Sequence, residues 1–216
     1  MVEREGVVLS LPASVCGRGE RKLSMGSLSE ALGSEEFCAT AVCGLTLEEV
    51  LDRLGVVDRA DLPEYRIDNA AESLGLDDWS VRLYCPSGSG WAYLFDVNGQ
   101  TGVTHKTPVL KRLSAGTEAV SVWSLIGSTT HIAQVRDGQL LATCSTWMFT
   151  PASGPEPDRL NRALERAGFF QEDEAEDDFD DALAALDAVE SEFGLAVEPE
   201  VVVGPLPTVI VPVRLD

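Results

Sequence analysis

Few side chains in this sequence have both the type and the company that chemistry requires. Cys85-Pro-Ser-Gly-Ser-Gly-Trp91 is a cysteine followed by a five-residue loop, the length of a phosphatase cradle. Such a cradle needs an arginine next, because a guanidinium grips phosphate oxygens in a bidentate way. Trp91 stands there instead, so the segment reads as a glycine-rich hairpin loop. The two histidines, His105 and His131, lack His-x-x-x-His or Glu-x-x-His spacing, and no Cys-x-x-Cys occurs. No metal or other cofactor is therefore expected. A Cys85–His105 nucleophile–base pair is one arrangement that the spacing leaves open, although nothing local activates the thiol. There is no Gly-x-Ser-x-Gly elbow, Walker loop or dinucleotide fingerprint.

The strongest signal is electrostatic. Glu172, Asp173, Glu174, Glu176, Asp177, Asp178, Asp180 and Asp181 put eight acids into ten residues. The window 167–212 holds 13 acids and no lysine or arginine, so it supplies −13 of a net charge of −20. The charge is thus local, which points to one electronegative surface. Asp177, Asp178, Asp180 and Asp181 also precede or open a helix, where carboxylates cap unpaired N–H groups and favour the dipole. The functional alternative is a docking site for a basic protein surface. An acidic balance (pI ≈ 4.3) argues against nucleic acid and anionic membrane as partners, since both demand clustered cations. No apolar run reaches the ~18 residues of a spanning helix.

These groups must be held by elements that the sequence also announces. Phe37–Cys43 reads as a strand, in which a separation of five puts Cys38 and Cys43 on opposite faces. Thr46 and Glu49 make a capping box before the stripe Leu47, Val50, Leu51, Leu54, with Gly55 as the stop. A weaker helix is expected from Pro63 to Leu74. Trp79–Tyr84, Trp91–Val97, Glu118–Leu125, Thr130–Arg136 and Gln139–Thr146 read as further strands, and Thr107–Leu113 as a short helix. Asp137-Gly138 suits a type I′ hairpin turn. Trp91, Tyr93 and Phe95 share one strand face, either as sheet core beneath a helix or as a recognition face with Tyr93 in solvent. Leu160, Ala163, Leu164 and Ala167 form one helical stripe. Phe179, Leu183, Leu186, Val189 and Phe193 form the next. Val201–Val203 and Thr208–Val213 are β-rich, with proline confining them to edges or extended segments.

The expected fold class is α+β: an antiparallel meander of about five or six strands packed by several helices, with a C-terminal helical segment and a β-rich tail. Residues 1–34 form an N-terminal arm, with Met25 the expected native start. Residues 35–149 form the core domain, 150–157 a Pro/Gly linker, and 158–216 the acidic helical segment and tail packed on the core. The N-terminus lacks the basic flank and uninterrupted apolar core of a signal peptide, so the expected location is cytoplasmic.

FCATAVCGLTLEEVLDRLG (37–55) and LKRLSAGTEAVSVWS (110–124), with the aromatic strand Trp91–Phe95 and the hairpin after His131, resemble an actinobacterial family known only as a domain of unknown function. The resemblance spans roughly residues 35–195. It implies a bacterial, cytoplasmic α+β domain and brings no catalytic residue with it. The sequence by itself therefore names no activity. It favours a non-enzymatic interaction module that is immunity- or inhibitor-like, docking a basic protein through the eight acids. One alternative is an enzyme or small-molecule binder with a site in the loops Cys85–Trp91 and Asn98–His105. Another is a structural subunit that adds its Val209–Val213 strand to a neighbour's sheet.

Overall fold

Strands and glycine-marked turns build one antiparallel sheet, and described helices pack on both of its faces. The computed structural model describes residues 26–33, 36–74, 79–125, 129–146, 150–170 and 179–212. In chain order its elements are α1 (Leu28–Leu32), β1 (Phe37–Cys43), α2 (Leu47–Leu54), β2 (Glu64–Tyr65), α3 (Ala70–Leu74), β3 (Ser80–Tyr84) and β4 (Trp91–Asp96). A 3-10 turn (Gly99–Thr101), α4 (Thr107–Leu113), β5 (Glu118–Leu125), β6 (Thr129–Arg136) and β7 (Gln139–Ser145) follow. The chain continues through α5 (Asp158–Arg166), α6 (Asp181–Phe193), α7 (Pro199–Val203) and β8 (Leu206–Ile210). The strand order is β2-β8-β3-β4-β1-β5-β6-β7. The class is the expected α+β, but the described sheet has eight strands where the sequence counts five or six.

The two additional strands are those without periodicity. β2 has only two residues, and β8 contains Pro207, which faces Glu64 of β2. The run expected as a terminal strand for a neighbour enters its own sheet instead, with Ser80↔Ile210, Val81↔Val209 and Arg82↔Thr208. The helix expected over Pro63–Leu74 shrinks to α3, because its first carbonyls are used across the sheet. Pro63 O accepts from Thr208 N (2.8 Å) and Tyr65 O from Arg82 Nε (3.0 Å). Val201–Val203, expected as strand, is helical. Pro199 opens that helix, where its missing N–H costs nothing, and Val202 is buried.

Period-two alternation divides the core between two faces. Phe37, Ala39, Tyr84, Trp91, Tyr93, Phe95, Val120 and Val122 line the first, under α1, α5, α6 and α7. Val42, Val81, Leu83, Ala92, Leu94 and Ala119 line the second, under α2 and α4. The aromatic stripe is core: Tyr93 is 1% exposed and its hydroxyl donates to Ala196 O (3.0 Å), so the solvent-facing version does not hold. Cys38 and Cys43 point to opposite faces, as their spacing requires. The Thr46/Glu49 capping box forms as expected. Asp137 (φ 49°) and Gly138 (φ 70°) both take the positive φ of a type I′ turn.

The Thr150–Pro157 segment lies along the outer strand β7. Thr143 and Ser153 exchange backbone hydrogen bonds at 2.8 Å, and Glu156 N donates to Leu141 O (2.9 Å). Arg82 is buried with no carboxylate within ion-pair distance among the described residues. Besides Tyr65 O, its guanidinium donates to Val202 O (2.7 Å) and Gly204 O (2.6 Å). Burial pushes its pKa down to about 10.

Candidate functional site

Of the eight acids singled out by sequence, Glu172, Asp173, Glu174, Glu176, Asp177 and Asp178 lie outside the described residues. The other two have structural tasks. Asp180 is the N-cap of α6, accepting from Leu183 N at 3.0 Å, and Asp181 accepts from the Thr146 hydroxyl. Helix-starting carboxylates are the reading that these two residues satisfy.

Beside them, α5 and α6 enclose a groove of about 520 Å³. Its lining includes Ala163, Ala167, Ala184 and Ala188, with Arg166, Phe179 and Asp187 as the larger side chains. Phe179 is 38% exposed at its mouth. Two of the three arginines of α5 are paired within the fold: Arg159 with Glu192 (2.9 Å) and Glu118 (3.1 Å), and Arg166 with Glu192, while Arg162 is exposed and pairs with no carboxylate among the described residues. Arg159 also stacks on Phe193, 4.0 Å from the ring centre.

A second constellation escapes sequence analysis. On the second face of the sheet, polar side chains form a continuous line. Asp96, at the end of β4, accepts from Thr104 Oγ1 at 2.7 Å and from Thr104 N at 3.3 Å. Thr40 Oγ1 lies 3.0 Å from Thr104 Oγ1 and 2.8 Å from Ser121 Oγ. Ser121 Oγ is 3.1 Å from His105 Nδ1. Cys38 joins from the side, with Sγ 3.2 Å from Thr104 Oγ1. Thr40, Thr104 and Ser121 are fully buried. The strand ladder places them: Thr40 faces Ser121 across β1 and β5, one row from the Cys38↔Trp123↔His131 row.

His105 closes the line against two other rings. Its centroid lies 5.5 Å from Trp123 and 6.2 Å from His131, and Trp123 and His131 are 5.3 Å apart. Trp123 is fixed by its indole N–H, which donates to Gly99 O (2.7 Å). Gly102 makes the approach possible: at φ 54°, a Cβ there would fall 2.5 Å from the Trp123 ring.

The electrostatics follow from burial. Desolvation pushes Asp96 up to about 7, against the lowering effect of its Thr104 hydrogen bonds. Burial, and then His131, pushes His105 down to about 4, so its imidazole is neutral. Burial raises the Cys38 thiol and keeps it protonated. Cys85 packs against the second-face core with its thiol pushed up to about 11 by burial, the reverse of an activated nucleophile. His105 is paired with Ser121, not with Cys85. Among the described residues no group of three or more potential metal ligands occurs.

The architecture defines a class first: one antiparallel sheet between two layers of helices, with a buried polar line on one face. The chain belongs to a family of unknown function, DUF6461, which matches residues 27–200. No curated protein matches it, and no solved structure does.

Proposed function

We propose that the protein is a non-enzymatic interaction module in which the acidic segment between α5 and α6 docks a basic protein surface. The supporting observation is the distribution of charge around that segment. Arg159 and Arg166 already hold Glu192, and the stretch 167–212 contributes no cation of its own. Glu172, Asp173, Glu174, Glu176, Asp177 and Asp178 thus meet no neutralising side chain in their own stretch, and like charges crowded together favour an incoming cation. The α5–α6 groove is lined by alanines and Phe179 together with Asp180 and Asp187, and its one arginine, Arg166, is already held by Glu192. Long-range attraction of this kind speeds association and competes with nucleic acid for a partner's basic face, the logic of an immunity or inhibitor protein.

The test leaves Asp180 and Asp181 in place, because both hold the fold. The other six acids are changed to Asn and Gln. A basic partner recovered on the immobilised protein is then titrated against both forms at low and high salt. Affinity should fall at least tenfold, about 1.4 kcal/mol, with a flatter salt dependence. Unchanged affinity and salt slope would refute the proposal.

A further inference from the structure

The second face of the sheet is unevenly covered. α2 and α4 bury its apolar half, whereas Trp123, His131, Thr143 and Ser145 of β5, β6 and β7 are only partly buried, with Trp123 and His131 beside His105. The polar line runs from Asp96 out to this strip. We propose that the strip is a binding site for a flat ring ligand that hydrogen-bonds to His105 Nε2. We further propose that Asp96, acting through the hydroxyls of Thr104, Thr40 and Ser121, sets whether that nitrogen accepts or donates. This site is independent of the acidic segment.

The ligand class follows from the walls. Trp123 and His131 are inclined at 33°, and His105 meets them at 44° and 49°, so three partly buried aromatic rings gather at one corner. Such a cluster favours another ring in offset or edge contact. The titratable neighbours of the line are Cys38 from β1, whose thiol burial keeps protonated, and His131 from β6, whose imidazole burial shifts toward the neutral form, and the Lys106 ammonium is turned onto Trp79 at 3.9 Å. An uncharged ligand is therefore favoured over an anion.

The switching follows from proton counting. Each hydroxyl has one proton to give, so the Thr40 proton serves either Thr104 or Ser121. With Asp96 ionised, Thr104 donates to it, Thr40 to Thr104, Ser121 to Thr40, and His105 Nδ1–H to Ser121. Nε2 then carries a lone pair. When one solvent proton arrives at Nε2, the Nδ1 proton passes to Ser121 and each hydroxyl hands its own along. The last proton rests on Asp96 Oδ1. His105 is again neutral, now with Nε2–H and a bare Nδ1. Only one proton has been taken up, and no imidazolium persists. The resting place agrees with the order of basicity, about 7 at Asp96 and about 4 at His105.

Two uncharged probes separate the states: indole, which only donates through its N–H, and pyridine N-oxide, which only accepts. Binding is followed by the NMR shifts of Trp123, His105 and His131 in the full chain. Indole should bind best above about pH 7 and pyridine N-oxide below it. From one unit above that value to one unit below, the competent fraction falls from about nine-tenths to about one-tenth, so the indole Kd should rise about tenfold. Nitrogen-15 spectra of His105 should show the tautomer change over the same range. Thr40→Val breaks the line and should abolish both the crossover and the tautomer change. Ser121→Ala is the second such variant, and amide spectra check that each keeps its fold. Failure of indole to saturate the strip, affinity that is independent of pH, or an intact crossover in the folded broken-line variants would overturn the proposal.

Discussion

Glu190 offers the sharpest test of how burial governs this protein. It lies on the core side of α6, 9% exposed, and its carboxylate accepts the backbone N–H of Leu28 at the start of α1. Burial, reinforced by Asp187, pushes it from 4.5 up to about 7. The folded protein therefore keeps a proton that the unfolded chain surrenders at lower pH. Between the two values unfolding releases that proton, so stability falls as pH rises and levels off above about 7. A shift from 4.5 to about 7 corresponds to about 3 kcal/mol. Glu190→Gln keeps a carbonyl oxygen for Leu28 N–H and removes the titration. Urea unfolding at about pH 8 should find the variant more stable by up to about 3 kcal/mol, with the advantage gone near pH 4.5. Asp96 imposes a slope of the same sign on both proteins and cancels in the difference. A stability difference that is equal at the two pH values, or a variant that is weaker on the alkaline side, would refute the assignment.

Two further substitutions probe the scaffold. Gly102→Ala adds a Cβ 2.5 Å from the Trp123 ring at a φ of 54°, and it should cost about 2 kcal/mol by urea unfolding while altering the near-ultraviolet dichroism of Trp123. A neutral effect would mean that the loop can move aside. Arg159→Ala removes contacts to Glu118, Glu192 and the Phe193 ring. With Arg159 about one-third exposed, the loss should be about 1–2 kcal/mol and should shrink in high salt. A loss that ignores salt would assign it to packing.

Local chemistry made much of the fold legible. The Thr46–Glu49 box and the Asp137-Gly138 turn satisfy their backbone needs within a few residues, so spacing alone revealed them, and Phe37–Cys43 read as a strand. What the sequence hid depends on distant partners. Glu64–Tyr65 becomes a strand only because it pairs with Leu206–Ile210, which pairs on its other side with Ser80–Tyr84; the β-rich tail was legible, but its place inside this sheet depends on those distant partners. Val201–Val203 shows tertiary context overriding β-branched preference, with Pro199 supplying the helix start. The buried polar line was hidden for the same reason. Thr40 and Ser121 were visible only as polar interruptions in apolar strands, and their connection requires the β1–β5 register. Asp96 looked like any strand-ending acid. The acidic run was legible as charge, yet the tasks of Asp180 and Asp181 needed the helix start and Thr146 in view.

Arg82 gives the fold an order of assembly. Its guanidinium is held by the carbonyls of Val202 and Gly204, 120 and 122 residues further along the chain, and its strand is flanked by β8 from the same late segment. A nascent chain that has made only β3 and β4 therefore carries a cation with the Tyr65 carbonyl as its one acceptor so far, and a strand with an open side. The interior cannot close until residues 199–210 have left the ribosome. Contacts this remote in sequence slow folding, because loop closure comes before any gain. A truncation before Val202 should accordingly leave a chaperone-dependent, protease-sensitive chain, because the last segment completes the lattice that solvates the buried guanidinium.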